Sequence, residues 1–375
     1  MGSSKRTSKW SDLPQDLLAL ITAKHLNSRP DILRVRAVCS SWRSSIPLST
    51  PCFPLKVPAP TCFVPGLRTS LSVLLIETIV YLIEAPNKLP KTSKSKSIKK
   101  FSWLLSVQHS EEPGKLHFME TLAPSIFENP RTVFPKFLNL LEYRVSEVSR
   151  FYDLKLDGRK FKALRRPFMI KKVVVSSNSD NFSVMALGHC LKLCLWKMGD
   201  ENWTEIEKGC VQSRYIDIAY HNGKFFAIGI TGQTILLDCS SLHPITVSVA
   251  PPEFRSIHQF YGHRSRYLVN SVGNLLLFLN AVESDNRAHF NVYKFDEEKH
   301  IWVSVDSLGD QVLLLDNNCS VSASAQDLIG FGIKKNCIYL SFFGYTKYSA
   351  YPGYNAWSID LEDHSIKLVP RGPDK

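Results

Sequence analysis

Two hydrophobic rhythms divide the chain. Between residues 10 and 46 apolar side chains recur at three- and four-residue spacing, the period of a helix with one buried face. Leu13, Leu17, Leu20 and Ile21 make one such face, preceded by Ser11-Asp12 and with Pro14 in the first turn, where its missing N–H costs nothing. Ser28-Arg29-Pro30-Asp31 has the form of a capping box for a second start, with Asp31 at the positive end of the helix dipole. Leu33, Val38 and Trp42 continue as a buried stripe, with Arg34, Arg36 and Arg43 in water. The pattern predicts a compact helical unit within residues 8–50, near the lower size limit for independent folding.

Pro47, Pro51, Pro54, Pro58 and Pro60 then exclude helix and predict a linker or a closely packed extended arm. Beyond residue 60 the apolar runs are short, rich in Val, Ile, Phe and Tyr, and separated by turn dipeptides such as Asp157-Gly158, Asn222-Gly223 and Gly273-Asn274. Leu71 to Ile83 reads as a buried strand, and Leu138, Leu141 and Val145 fit one helix between Phe137 and Phe151. A loose repeat runs through the second half, in which a strand ends on a polar residue and the next opens six positions later. Its pairs are Lys197 with Trp203, Asp238 with Pro244, Asp296 with Trp302 and Asp360 with Ile366. Such blade-like but irregular spacing predicts an α+β chain: a short three-helix unit, then a large all-β domain over residues 60–370. An irregular β-propeller is the expected architecture, with a pair of β-sandwiches as the alternative.

The net charge of +12 invites a nucleic-acid reading, but its distribution removes it. Residues 1–50 carry +5 and Lys88–Lys100 carries +6, so the remainder stands at +1. A phosphate-tracking domain carries its excess on the folded body, so no nucleic-acid partner is expected. The basic tract, interleaved with Ser, reads as a solvated loop or an import signal. No apolar run is long enough for a membrane-spanning helix, and the N-terminus has no secretory pattern. Nine scattered cysteines without Cys-x-x-Cys fit reduced thiols in the nucleus or cytoplasm.

The sequence holds no phosphate-loop, nucleophile-elbow or zincin-helix signature. His189, Cys190 and Cys194 come nearest to a metal set but lack a fourth ligand, and they read better as apolar cysteines. Asp306 and Asp310 read as flanks of the Leu308-Gly309 turn, and His300 and His364 as turn residues. No cofactor and no catalytic residue is expected.

The informative segment is Leu13-Pro14-Gln15-Asp16-Leu17-Leu18, then Ile21 and Leu26, then Asp31 through Val38-Cys39-Ser40-Ser41-Trp42-Arg43. It resembles the F-box, with its Leu-Pro opening, apolar helix and closing Val-Cys-x-x-Trp-Arg. So short a unit cannot enclose every apolar side chain it displays, and soluble proteins seldom leave such patches bare. Burying about five of them on a partner would return on the order of 8–15 kcal/mol gross, before association costs. The resemblance implies a Skp-type adaptor on Leu13, Pro14, Leu17, Leu18, Ile21 and Leu33. Val38, Cys39 and Trp42 would be shared between that contact and the unit's own core. Through the adaptor it implies cullin and RING subunits. Glu77 to Ile83, Lys136 to Leu141, Trp302 to Asp310 and Asn336 to Leu340 are similar to a C-terminal domain of plant F-box proteins. That resemblance implies a propeller-like region that binds a protein substrate, and hence a non-catalytic receptor subunit of an SCF-type ubiquitin ligase. A ligase-independent tether or transcriptional cofactor is the alternative.

Overall fold

The computed structural model describes residues 13–25, 29–46, 53–63, 71–85, 102–110, 112, 115–119, 139, 142–156, 170–176, 182–206, 214–238, 244–249, 264–282, 288–316, 320–328, 331–342 and 355–369. The Lys88–Lys100 tract, Ser28 and the Asp157-Gly158 turn lie outside the described residues.

Three short helices open the chain: α1 (Gln15–His25), α2 (Arg29–Arg36) and α3 (Ser40–Ser45). Pro30 and Asp31 occupy the first turn of α2 and Arg34 and Arg36 its last, which matches the helix dipole at both ends. Cys39 caps α3, its sulfur accepting a hydrogen bond from the Trp42 N–H at 3.4 Å.

The prolines that follow do not form a free linker. Pro54 and Pro58 belong to an arm whose strand β1 (Leu55–Pro58) pairs antiparallel with β2 (Ser72–Glu84), so the β domain begins before residue 60. Blade 1 adds β3 (Ser102–His109), β4 (Leu116–Met119) and β5 (Arg144–Leu156), in the order β4-β3-β2-β5. Blade 2 is β6 (Ile170–Val175), β7 (Ser183–Gly188), β8 (Leu193–Lys197) and β9 (Thr204–Glu205). Its sheet joins that of blade 1 through a single register pair, Tyr152 with Val173.

Blade 3 is β10 (Tyr215–His221), β11 (Lys224–Gly229), β12 (Gln233–Asp238) and β13 (Ile245–Val249), a plain antiparallel meander. Blade 4 repeats it with β14 (Arg264–Ser271), β15 (Asn274–Val282), β16 (Ala288–Asp296) and β17 (Ile301–Ser304). Blade 5 holds β18 (Gln311–Leu315), β19 (Ser320–Ser324), β20 (Cys337–Phe342), β21 (Asn355–Asp360) and β22 (Ile366–Leu368). Here the order is β19-β18-β20-β21-β22, and β18 runs parallel to β20, which breaks the meander.

Period-two alternation sends successive side chains to opposite faces of each blade, and both faces are apolar. In blade 2, Val184, Ala186, Cys194 and Trp196 meet Val73, Leu75 and Leu154 of blade 1, while Met185, Leu187, Leu193 and Leu195 meet Phe225 and Ile235 of blade 3. Phe226 and Ile228 pack on Leu277 and Phe295 of blade 4, and Phe278 and Val292 pack on Leu313 and Ile338 of blade 5. Val312, Val321 and Tyr339 then return to Val80, Leu82 and Leu104 of blade 1. Five inter-blade cores close a ring, and the irregular propeller is the fold observed.

Each of the four repeat pairs falls on the turn into the outermost strand of blades 2 to 5. His300 and His364, both with φ of 55°, are left-handed turn residues there. Gly309, with φ of 62°, serves the Leu308-Gly309 turn between Asp306 and Asp310. One hairpin turn shifts by a residue, to Val272-Gly273 between β14 and β15.

Two expectations fail. The helix over Phe137–Phe151 is replaced across its second half by β5, which pairs along β2 from Arg144 with Glu84 to Leu156 with Val73. Long-range pairing along β2 overrides a local helical spacing of three residues. The cysteines are not all reduced, because Cys62 is disulfide-bonded to Cys194 across 132 residues of sequence. Cys190, read as an apolar cysteine, instead sits exposed and free in the β7–β8 turn.

Candidate functional site

In the helical unit Leu18, Pro30 and Ile46 are buried and form its interior. The Leu18 N–H donates to the Pro14 carbonyl at 3.0 Å, so the Leu-Pro pair starts the turn that sets the phase of α1. That phase turns Leu18 inward, at 2% exposure, and leaves Leu17 at 49%. Leu20, Ile21, Leu33 and Val38 are exposed beside it, Pro14 is exposed, and Leu13 is half-buried.

Leu18 is therefore a core residue in this chain, not a surface one. Leu33 and Val38, placed in a buried stripe by their spacing, instead face outward, with nothing among the described residues covering them. Leu20 joins the exposed group. Cys39 and Trp42 are half-buried, and the Trp42 indole N–H is enclosed without an acceptor among the described residues.

The arginines behave differently from one another. Arg43 is exposed. Arg36 is not left in water: its guanidinium donates to the carbonyls of Ile46 and Arg43, tying the end of α2 to the end of α3. Arg34 donates to Asp31 at 2.7 Å and to the Val145 carbonyl of β5 at 3.4 Å, which places α2 against blade 1. The exposed leucines and valine are thus carried on a braced unit that touches the propeller.

The second candidate region is the propeller axis. Strands β5, β6, β10, β14 and β19 line a cavity of about 260 Å³. Lys172 reaches across it. Its ammonium donates to Asp217 at 3.0 Å, and to the Leu268 carbonyl and Ser320 hydroxyl at 3.4 Å, joining blades 2, 3, 4 and 5. Asp217 in turn accepts from the N–H groups of Leu268 at 2.6 Å and Ile218 at 2.9 Å. Both partners are buried, and the carboxylate is saturated on either oxygen.

Around β5, Arg150 holds Glu147 in a two-pronged bond at 3.0 Å and donates to Glu77 at 3.0 Å, while the Tyr152 hydroxyl donates to Glu77 at 3.2 Å. Burial opposes the Arg150 charge, but the Glu147 hydrogen bonds and the Glu77 and Glu147 charges outweigh it and raise its pKa further. Burial and then the Glu77 charge push the Tyr152 phenol well above its ordinary range. Asp153 is raised and Lys171 lowered, both chiefly by burial. The Arg150, Glu147, Glu77 and Tyr152 groups pair within blade 1, while Lys172 and Asp217 link neighbouring blades. Among the described residues no three His, Cys, Asp or Glu side chains gather as a metal would require.

A braced three-helix unit with a bare apolar face, followed by a propeller whose axis is internally satisfied, defines a class: an adaptor-type module on a β-propeller. Residues 10–48 match the F-box-like family and residues 72–367 match the KIB1-4 beta-propeller family. F-box protein SKIP23 of Arabidopsis thaliana is 29% identical over 355 residues, covering 85% of this chain and 81% of that protein. A putative F-box protein of the same plant is 26% identical over 363 residues, covering 96% of this chain and 93% of that protein. This chain belongs to the KIB1-4 beta-propeller family and is a plant F-box protein.

Proposed function

We propose that this protein is the substrate-receptor subunit of an SCF-type ubiquitin ligase. In this reading the F-box binds a Skp-type adaptor, through it cullin and RING subunits, and the propeller binds the protein to be modified. The observation that carries it is the bare apolar face of Leu17, Leu20, Ile21, Leu33 and Val38 on a unit that already has its own core in Leu18 and Ile46. Such a face is the signature of a docking surface. Burying those five side chains is worth about 8–15 kcal/mol gross, enough to sustain a stable subunit contact after association costs.

The chain contributes proximity and orientation, and the ubiquitin chemistry belongs to other subunits. It needs no cofactor and works in the nucleus, the cytoplasm or both. The test is co-purification of adaptor and cullin with wild type and with a Leu17→Asp/Ile21→Asp variant. Wild type is expected to carry both, and the variant neither, with an unchanged propeller melting transition. Equal recovery of adaptor with the variant overturns the proposal; recovery of adaptor without cullin would move the protein to a tether outside any ligase.

A further inference from the structure

Cys194 is fully buried in the core between blades 1 and 2, and Cys62, its disulfide partner, is half-buried on a short 3-10 turn at Thr61–Phe63. A dissolved oxidant does not reach Cys194, so oxidising equivalents need a way in. Cys190 supplies it. It is a free, exposed thiol in the turn between β7 and β8.

Its location is fixed by Gly188, the last residue of β7. A Cβ on Gly188 would stand 3.0 Å from the Cys190 sulfur and 2.6 Å from the ring of Phe63, the residue after Cys62. Gly188 shares a strand face with Ala186, which is paired with Cys194. The missing side chain at Gly188 therefore leaves one patch in which the Cys190 thiol, the Cys62 turn and the Cys194 strand converge.

We infer that Cys190 is the entry thiol of a disulfide relay that makes and breaks the buried Cys62–Cys194 bond, with a low-molecular-weight disulfide such as oxidised glutathione as its substrate. In the first exchange the Cys190 thiolate attacks the external disulfide, forming a mixed disulfide and releasing one external thiolate. The Cys62 thiolate then attacks the Cys190 sulfur, forming Cys62–Cys190 and releasing the second external thiolate. Finally Cys194 attacks the Cys62 sulfur, forming Cys62–Cys194 and returning Cys190 to a thiolate. One external disulfide is reduced to two thiols and one protein disulfide is gained. The sequence runs backward with excess external thiol. The bond staples the Thr61–Phe63 turn between β1 and β2 onto blade 2.

The experiment reduces the full-length protein, removes the reductant, adds oxidised glutathione and maps disulfide-linked peptides over time, in wild type and in Cys190→Ser. In wild type a Cys190–glutathione adduct and a Cys62–Cys190 link are expected to rise and decay before Cys62–Cys194 accumulates. In Cys190→Ser the same final bond is expected to form about tenfold or more slowly, as exchange loses its exposed thiol. A Cys194→Ser variant is expected to stop at Cys62–Cys190. Bond formation in Cys190→Ser at the wild-type rate, or the absence of any Cys62–Cys190 link in Cys194→Ser, overturns the relay.

Discussion

The two halves of this protein treat their apolar side chains in opposite ways. In the propeller, strands such as β7 and β8 are apolar on both faces, and a neighbouring blade covers each face in turn until Val312 and Val321 meet Val80 and Leu82. In the F-box, Leu18 and Ile46 are covered while Leu17, Leu20, Ile21, Leu33 and Val38 are not. Ring closure covers the broad faces of the propeller's blades and leaves exposed apolar side chains such as Phe118, Ile245 and Trp357 on outer strands, whereas three helices of eleven, eight and six residues have too little chain to cover theirs.

The comparison can be broken from the propeller side by removing its axial fastening. Asp217→Ala leaves the Lys172 ammonium buried without its counter-charge at the meeting point of four blades. A loss of about 3–5 kcal/mol in unfolding free energy is expected, read by denaturant titration. A loss below about 1 kcal/mol would mean that the pair does not bind the ring together.

Adjacent leucines sharpen it within the F-box. Leu18→Ala is expected to cost about 2–5 kcal/mol of local stability and so to melt the helical unit, seen as amide exchange over α1 and α2. Leu17→Ala, one position earlier, is expected to change stability by less than about 0.5 kcal/mol while weakening adaptor binding. Identical effects of the two variants would erase the division between interior and docking face.

The smallest effect lies in a turn. Val272, a β-branched residue at φ of 46° ahead of Gly273 at 73°, occupies the position that Asn222 fills before Gly223 in the preceding blade. Val272→Asn is expected to raise stability by about 0.5–1 kcal/mol, measured as a shift in the thermal midpoint, because Asn tolerates the left-handed region.

Much of this division was legible in the residues. The F-box signature stands on several apolar identities at fixed mutual spacing, and a helix that short must leave some of them uncovered. Blades were visible as polar-ended strands followed six residues later by a new strand, because every outer hairpin needs the same turn chemistry. Which face each leucine takes was less legible. Leu17 and Leu18 differ by about 100° of helix rotation, and tertiary packing decides which of them turns inward. Partners far apart in sequence were invisible for the same reason: Lys172 with Asp217 and Cys62 with Cys194 are set by blade stacking, not by spacing. Strand β5 misled because Val145 fits a helical face locally, while its pairing with Ile83 is decided by a strand far upstream.

The most direct test is amide hydrogen exchange of the full-length protein with and without a saturating Skp-type adaptor. The account predicts new protection concentrated in α1 and α2, around Leu17, Ile21 and Leu33, with the strands of blades 2 to 4 unchanged. Protection appearing on the propeller while α1 and α2 exchange as before would contradict it.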